Sequence, residues 1–264
     1  MIDYGISGKT AIVTGGSVGI GRACATALAG QGVNVVIAAR RLDRLEQAAK
    51  EISEATGGKV VAIAADMTQT DSVKNLVAQT VQQFGSVDIL VNNAASFPYG
   101  SSTELTVDDW IAHFNVKAFG YLRAMFEVLP HMKQAGWGRI INVAGQAARA
   151  GGGSAGANNA AIINMTKGVA LDVATHKITV NAVHPGGPAD TDREPMRLEY
   201  EAKSRGITLE QAIAEAEARV PPIGRRVVSS DAAHIVLFLA SAQASAITGE
   251  TMAVDPGQDR TVIY

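Results

Sequence analysis

The feature that most constrains the fold of this chain is a regular alternation of short β-branched runs with longer segments of helical period. Such alternation is typical of βαβ units built around a parallel sheet. The runs AIVT, VNVVIA and VDILVN are almost continuously apolar, as expected of strands that are covered by helices on both faces. Seven strands are predicted, at residues 10–14, 33–38, 60–65, 88–92, 139–143, 177–183 and 251–254. Helices are predicted at residues 41–55, 71–84, 107–133, 154–175 and 231–241.

The whole chain, residues 1–264, is predicted to form one domain: a Rossmann-type, doubly wound α/β sheet with helices on both faces. A hydrophobic content of 47% supplies enough apolar material for two core layers. Residues 187–225 depart from the alternation, because a charged helical stretch lies there between PGGPAD and a pair of prolines. We interpret this segment as a helical substrate lid over the C-terminal edge of the sheet, where open α/β sheets bind ligands.

The charge balance argues against large charged partners. Lysine and arginine number 23 against 25 aspartate and glutamate residues, so neither nucleic acid nor a membrane surface is an expected partner. A single cysteine, Cys24, excludes an intrachain disulfide and a cysteine-clustered metal site, and no metal site is predicted. The first residues lack the pattern of a secretory signal, and no apolar run reaches the roughly 18 residues of a membrane span. We expect a cytoplasmic protein with a small-molecule substrate.

A glycine-rich segment, TGGSVGIG at residues 14–21, follows the first predicted strand and opens a helix. In this context Gly15 permits a tight turn, Gly19 leaves room for a pyrophosphate, and Gly21 lets helix and strand pack closely. The intervening Ser17 and Ile20 belong to the same loop, and the helix N-terminus attracts phosphate charge. The segment predicts a dinucleotide site.

The spacing TGxxxGxG resembles that of the short-chain dehydrogenase/reductase family, and further motifs extend the resemblance over nearly the whole chain. These are Asp66 after the third strand, NNAA at residues 92–95, FNVK at 114–117, VNAVHPGG at 180–187 and ITGETMAVDPG at 247–257. The resemblance implies an oxidoreductase in which Asn115 matches the catalytic asparagine. It also implies further cofactor contacts from Asp66, Met67, Asn92, Ala94, Pro185, Gly186 and Thr191.

The end of the second strand indicates which dinucleotide is bound. An acidic residue there binds the ribose 2′-hydroxyl of NAD, whereas a basic residue accommodates the 2′-phosphate of NADP. This chain has Ala39 at that point, followed by Arg40 and Arg41. NADP is therefore favoured over NAD.

The catalytic tyrosine, lysine and serine of the resembled family have no counterparts at the matching positions. No tyrosine of the chain is followed four residues later by a lysine, and alignment on NMTKGVALDVA puts Ala155 and Asn159 at the Tyr and Lys positions. Residues 140–153 contain no serine or threonine, and Ala144 or Gly145 lies nearest the serine position. A proton donor other than the family's tyrosine is required if the chain is an enzyme.

Three side chains are candidates for part of the missing chemistry beside Asn115. His184, after the sixth strand, is a residue type suited to acid or base catalysis near neutral pH. Asn159 has the polarity to bond a cofactor ribose, and Gln146 is placed to orient a substrate oxygen.

Three functions remain open from the sequence. The first is an NADP-dependent oxidoreductase acting on a small alcohol or carbonyl compound with an atypical proton donor. The second is lyase or dehydratase chemistry in the same pocket, and the third is a non-catalytic nucleotide sensor. The resemblance also implies self-association, as a homotetramer or homodimer, through the helices at 107–133 and 154–175 and the last strand.

Overall fold

The chain forms one seven-stranded parallel sheet in a computed structural model that describes residues 3–257. The strand order is β3-β2-β1-β4-β5-β6-β7, which is the doubly wound arrangement expected from the alternating pattern. The strands are β1 (Thr10–Thr14), β2 (Asn34–Ala39), β3 (Val60–Ala64), β4 (Ile89–Asn92), β5 (Gly138–Val143), β6 (Ile178–Pro185) and β7 (Thr251–Val254). All seven predicted strands are confirmed to within two residues at each end.

Ten α-helices lie in the described part of the chain. They are α1 (Gly19–Ala29), α2 (Leu42–Thr56), α3 (Thr70–Phe84), α4 (Val107–Val116), α5 (Ala118–Ala135), α6 (Ala147–Ala150), α7 (Gly153–Val173), α8 (Arg193–Arg205), α9 (Leu209–Ala218) and α10 (Ser229–Ala240). A short 3₁₀ turn, Ala174–His176, follows α7. None of these helices is long and apolar enough to cross a membrane.

The core has two layers because successive strand residues point to opposite faces of the sheet. In β1, Ala11 and Val13 face α1, α2 and α10, whereas Ile12 faces α3, α5 and α7. All three side chains are buried. This burial on both faces accounts for the uninterrupted apolar character of the strands in the sequence.

The single helix predicted at residues 107–133 is in fact two helices, and this prediction was wrong. Lys117 lies between α4 and α5 with φ −95° and ψ −74°. The side chain of Asn158, in α7, bridges the break: its Oδ1 accepts from the backbone N–H of Ala118 at 3.1 Å and its Nδ2 donates to the carbonyl of His113 at 3.1 Å. An amide with both donor and acceptor replaces the helical hydrogen bonding lost at the break.

The excursion at residues 187–225 contains α8 and α9, as the charged stretch predicted. Within α8, Glu201 accepts from Arg197 at 2.7 Å and from Arg205 at 3.0 Å. Arg205 also reaches Glu215 of α9 at 2.8 Å. The excursion contributes Asp192, Arg193 and Met196 to the wall of the cleft described next.

Candidate active site

A cleft of about 560 Å³ opens at the C-terminal edge of the sheet. It lies where the strand order reverses, between β1 and β4, which is the place at which open α/β sheets bind their ligands. The glycine-rich turn lines one part of the cleft, and the ends of β5 and β6 line another. One continuous space therefore joins the predicted phosphate site to the predicted site of catalysis.

The turn after β1 has the geometry of a phosphate cradle. Gly15 and Gly19 have φ of +65° and +53°, which side chains other than glycine rarely adopt. A Cβ added to Gly21 would lie 2.2 Å from the carbonyl oxygen of Gly15, so the turn closes only around glycine. No side chain caps the first turn of α1, whose N–H groups are oriented for an anion. Ser17, Ile20 and Thr191 join Gly15 and Gly19 in the cleft wall.

The motif after β4 holds this turn in place through its second asparagine. Asn93 donates from Nδ2 to the carbonyls of Thr14 and Gly15, at 3.2 and 3.1 Å, and lines the cleft. The predicted cofactor residue Asn92 lies outside the cleft lining, under α5, and its Nδ2 donates to Oδ1 of Asn142 at 2.9 Å. The sequence prediction named Asn92 and missed Asn93. The motif identifies the segment, but adjacent side chains point in different directions, so it does not show which asparagine faces the cleft. Ala94 is also absent from the lining residues, and its neighbour Ala95 is present.

Two arginines follow β2, next to the end of β3. Arg41 lines the cleft, whereas Arg40, Asp66 and Met67 lie outside its lining. Burial raises the pKa of Asp66, but hydrogen bonds from the Thr68 N–H and hydroxyl, with the nearby charge of Arg40, outweigh it and lower the pKa overall. Asp66 is therefore an anion that accepts from Thr68 and faces a guanidinium.

At the other end of the cleft, the loop after β5 and the first turns of α7 meet the end of β6. The lining there includes Gly145, Gln146, Ala155, Asn159, Pro185 and Gly186. The sequence analysis named all six, and Ala155 and Asn159 occupy the wall where the resemblance leads one to expect tyrosine and lysine.

A lysine that the sequence analysis did not single out occupies this wall. Lys117 is only 5% exposed, and its Nζ donates to Oδ1 of Asn159 at 2.6 Å and to the carbonyl of Ala144 at 3.3 Å. Burial, with a contribution from the charge of Arg193, lowers the pKa of Lys117 to about 7. A buried amine thus lines the cleft beside the amide that stands at the lysine position of the resembled family.

His113 lies one helical turn before Lys117 and also lines the cleft. Its Nδ1 lies 3.1 Å from the hydroxyl of Ser154. Burial lowers the pKa of His113 to about 4, with contributions from the charges of Lys117 and Arg193. The ring is consequently neutral at neutral pH.

The structure does not bring Asn115 or His184 to the cleft. Asn115 accepts from Arg123 of α5 at 2.7 Å through its side chain and lies outside the lining residues. His184 is fully buried in β6, although the next residue, Pro185, reaches the cleft. The sequence prediction selected Asn115 because it matches the catalytic asparagine of the resembled family. The cleft is lined instead by Lys117, two residues later, which shares a helix face with His113.

Two further polar groups in the cleft wall lack a hydrogen-bond partner within residues 3–257. They are the amide nitrogen of Gln146 and the hydroxyl of Tyr99, both of which are buried. Buried donors are normally paired, so groups of this kind mark places where a ligand supplies the partner. The ring of Tyr99 packs against that of Tyr200 in α8, at a centroid distance of 5.5 Å.

A parallel sheet in this order, with a glycine phosphate turn at the switch point, defines a nucleotide-binding α/β protein. The chain belongs to the short chain dehydrogenase family, whose sequence profile matches residues 9–200. The resemblance noted from the motifs is thereby confirmed.

Several relatives are similar over nearly their whole length. The NADPH-dependent reductase BacG of Bacillus subtilis is 33% identical over 262 residues, which cover 97% of this chain and 100% of that protein. Sorbitol dehydrogenase of Cereibacter sphaeroides is 36% identical over 259 residues, covering 96% of this chain and 98% of the relative. Among solved structures, L-sorbose reductase from Gluconobacter frateurii, complexed with NADPH and L-sorbose, superimposes with a TM-score of 0.91 at 30% identity. That comparison covers 99% of this chain and 100% of the reductase.

Proposed function

We propose that this protein is an NADP(H)-dependent oxidoreductase that interconverts a small alcohol and its carbonyl compound with an atypical proton donor. Membership of the short chain dehydrogenase family supports the oxidoreductase class. The observation that carries the proposal is the single cleft that runs from the phosphate turn and Arg41 to Gly145, Asn159 and the end of β6. A dinucleotide that spans this cleft brings its reactive end to the wall that contains Gln146.

The residues present fit NADP(H). The phosphate turn has no room for a side chain at Gly21, and the first turn of α1 leaves N–H groups for a pyrophosphate. Arg40 and Arg41 supply cationic groups at the end of β2, where a ribose 2′-phosphate would be held. The acidic residue among the lining groups is Asp192, whose carboxylate is 70% exposed and lies 3.9 Å from Arg44. When bound, NADPH supplies the hydride that reduces a carbonyl carbon.

The predicted roles of two lining residues remain part of this proposal. Gln146, with its unpartnered amide nitrogen, would donate a hydrogen bond to the substrate oxygen. Asn159 would contribute its amide to the reaction end of the cleft rather than the charge of a lysine. The helices α8 and α9 would act as the lid, because Arg193 and Met196 already form part of the wall.

The test compares NADPH with NADH and then looks for turnover. Calorimetric titration is expected to give tighter binding of NADPH, and the preference is expected to fall in Arg41→Ala. The matched control is Arg44→Ala, which removes a neighbouring arginine outside the cleft lining. Oxidation of NADPH is then followed by absorbance with a panel of ketones, aldehydes and ketoses. Failure of both nucleotides to bind at millimolar concentration would contradict the proposal.

A non-catalytic nucleotide sensor is the second candidate. It is favoured by Gly145 and Ala155, which have no group for acid or base catalysis at the positions of the family's serine and tyrosine. Tight NADPH binding with no turnover across the panel would support this reading or the lyase and dehydratase reading. A lyase would convert a hydroxylated substrate with no net change in nucleotide absorbance.

Self-association and a cytoplasmic location complete the proposal. Five large apolar side chains of the described residues are exposed on the predicted contact helices: Val107, Ile111, Phe119, Phe126 and Leu171. Exposed apolar surface of this kind is typical of subunit interfaces. Light scattering during gel filtration is expected to give the mass of a tetramer or dimer, and Phe126→Glu is expected to give a smaller assembly. The single cysteine is in keeping with a reducing compartment.

A further inference from the structure

We propose that Lys117 delivers the proton to the substrate oxygen, from an amine that Asn159 and the Ala144 carbonyl hold at the reaction end of the cleft. The inference rests on the proposed oxidoreductase function and names the group that completes it. Lys117 becomes, on this reading, a catalytic residue that contacts the substrate.

The hydrogen bonds of Lys117 leave one proton for transfer. An ammonium group has three N–H donors. Asn159 and Ala144 accept two of them, and no described residue accepts the third. A neutral amine has two N–H donors, which the same two acceptors satisfy, and a lone pair where the ammonium carries its third proton. The site therefore accommodates both protonation states, and a substrate oxygen is the partner that the ammonium form lacks.

The charges around Lys117 favour easy release of that proton. Elements packed against it contribute His113 from α4, Asn159 from α7 and Arg193 from α8, and none of the three carries negative charge. Asp192 is the acidic residue in the described lining, and it is exposed and close to Arg44. Burial without a carboxylate partner lowers the pKa of the amine to about 7, which is the range in which a general acid works best at neutral pH.

The proposed step balances as follows. In reduction, a C–H bond forms at the carbonyl carbon with hydride from NADPH, and the C=O π electrons move to oxygen. The oxygen takes the third proton from Nζ of Lys117, which leaves an alcohol, NADP⁺ and a neutral amine. The amine regains a proton from water after product release. In oxidation, the neutral amine accepts the alcohol proton as the hydride leaves.

Titration of the amine tests the proposal without any turnover. The protein is labelled with lysine carrying ¹³C at Cε, and the Lys117 resonance is assigned by its loss in Lys117→Met. We expect a midpoint near pH 7 for Lys117, well below the usual lysine value of about 10.4. A Lys117 midpoint near 10 would overturn the proposal.

Activity measurements test the role directly. Lys117→Met is expected to lower kcat for carbonyl reduction by about 10² to 10⁴, with little change in NADPH affinity. Lys167→Met is the control, since Lys167 is half-exposed and pairs with Glu250 away from the cleft. In Lys117→Cys, alkylation with bromoethylamine rebuilds an amine of similar length and is expected to restore turnover. The native Cys24 is fully buried, so it is protected from the reagent.

The pH profiles have opposite slopes in the two directions. Reduction requires the ammonium and is expected to decline above about pH 7, whereas oxidation requires the neutral amine and is expected to rise through the same pH. Turnover that is retained in Lys117→Met would overturn Lys117 as the proton donor, and so would turnover that is lost in Tyr99→Phe instead. Neither result would contradict the oxidoreductase function. No turnover by the wild-type protein, despite a Lys117 midpoint near 7, would remove the function and this role together.

Discussion

A Cβ atom at residue 145 would lie 2.8 Å from Nδ2 of Asn159. The amide of Asn159 cannot move away freely, because its Oδ1 accepts the 2.6 Å hydrogen bond from Lys117. The glycine, the amide and the amine are thus mutually dependent. A serine at residue 145 would collide with the amide that pairs with Lys117, which gives a physical reason for the absence of serine from this wall.

Gly145→Ala is therefore expected to disturb catalysis more than stability. The added methyl group displaces Asn159 and loosens the position of the amine, and a misplacement of about 1 Å lowers rates by up to about 10². The free energy of unfolding is expected to fall by only about 1–3 kcal/mol. Gly187→Ala is the matched control in the same cleft, since nothing lies within 4 Å of its added Cβ. Comparable loss of kcat in both variants would contradict the dependence.

Arg193→Gln is expected to raise the pKa of Lys117, because the nearby guanidinium charge contributes to lowering it. The decline of carbonyl reduction with pH then moves to higher pH. Arg193 is exposed, its guanidinium lying 3.8 Å from the ring of Phe97, so salt screens its effect. In about 1 M salt, where the Debye length is about 3 Å, the pH profiles of the wild-type protein and Arg193→Gln should converge. Lys50→Gln, which removes an exposed charge on α2, should leave the profile unchanged.

Lys117→Met is expected to stabilise the fold at neutral and acidic pH. The pKa of Lys117 is about 7 in the folded chain against 10.5 for an ordinary lysine, so the unfolded chain binds more protons between these values. Wild-type stability should consequently rise as pH increases from about 7 to 10, and this dependence should shrink in the variant. Urea unfolding at pH 6 should show a gain of a few kcal/mol, larger than at pH 10. An equal difference at both pH values would exclude a buried, titrating amine.

Gly21→Ala is expected to weaken nucleotide binding. Its Cβ would lie 2.2 Å from a backbone oxygen, which has no side-chain freedom to move aside, so the phosphate turn must open. We expect at least a tenfold loss of NADPH affinity by calorimetry and a destabilisation of about 1–3 kcal/mol. Gly168→Ala provides the control, because this helical glycine has open space around the added Cβ. Alanine there should be neutral or stabilise the helix by up to about 1 kcal/mol.

The fold was predictable because the information is local. Apolar runs and helical periods lie within single segments, and the glycine turn directly follows β1. The break at Lys117 was not predictable in this way, since no glycine or proline marks it and Asn158, which bridges it, lies 40 residues from Ala118. A proline does occur inside α5, at Pro130, and the helix continues through it.

Errors in the site had the same origin. Asn115 and Lys117 are two residues apart and so lie on different sides of the helix, and it is Lys117 that shares the cleft side with His113. Asn92 and Asn93 are consecutive, yet Asn92, the last residue of β4, bonds to Asn142 under α5, whereas Asn93, just after the strand, bonds to the phosphate turn. Motif matching identifies such segments correctly, but the direction of a side chain depends on partners that are distant in sequence.

Asn158 and Asn159 are consecutive residues of α7, and between them they hold both the backbone beside Lys117 and its amine. If the excursion closes over a substrate and α7 shifts, the helix break and the amine will travel together with the amide that orients it. The amine of Lys117 would therefore keep its orientation relative to Asn159 when the other walls of the cleft move.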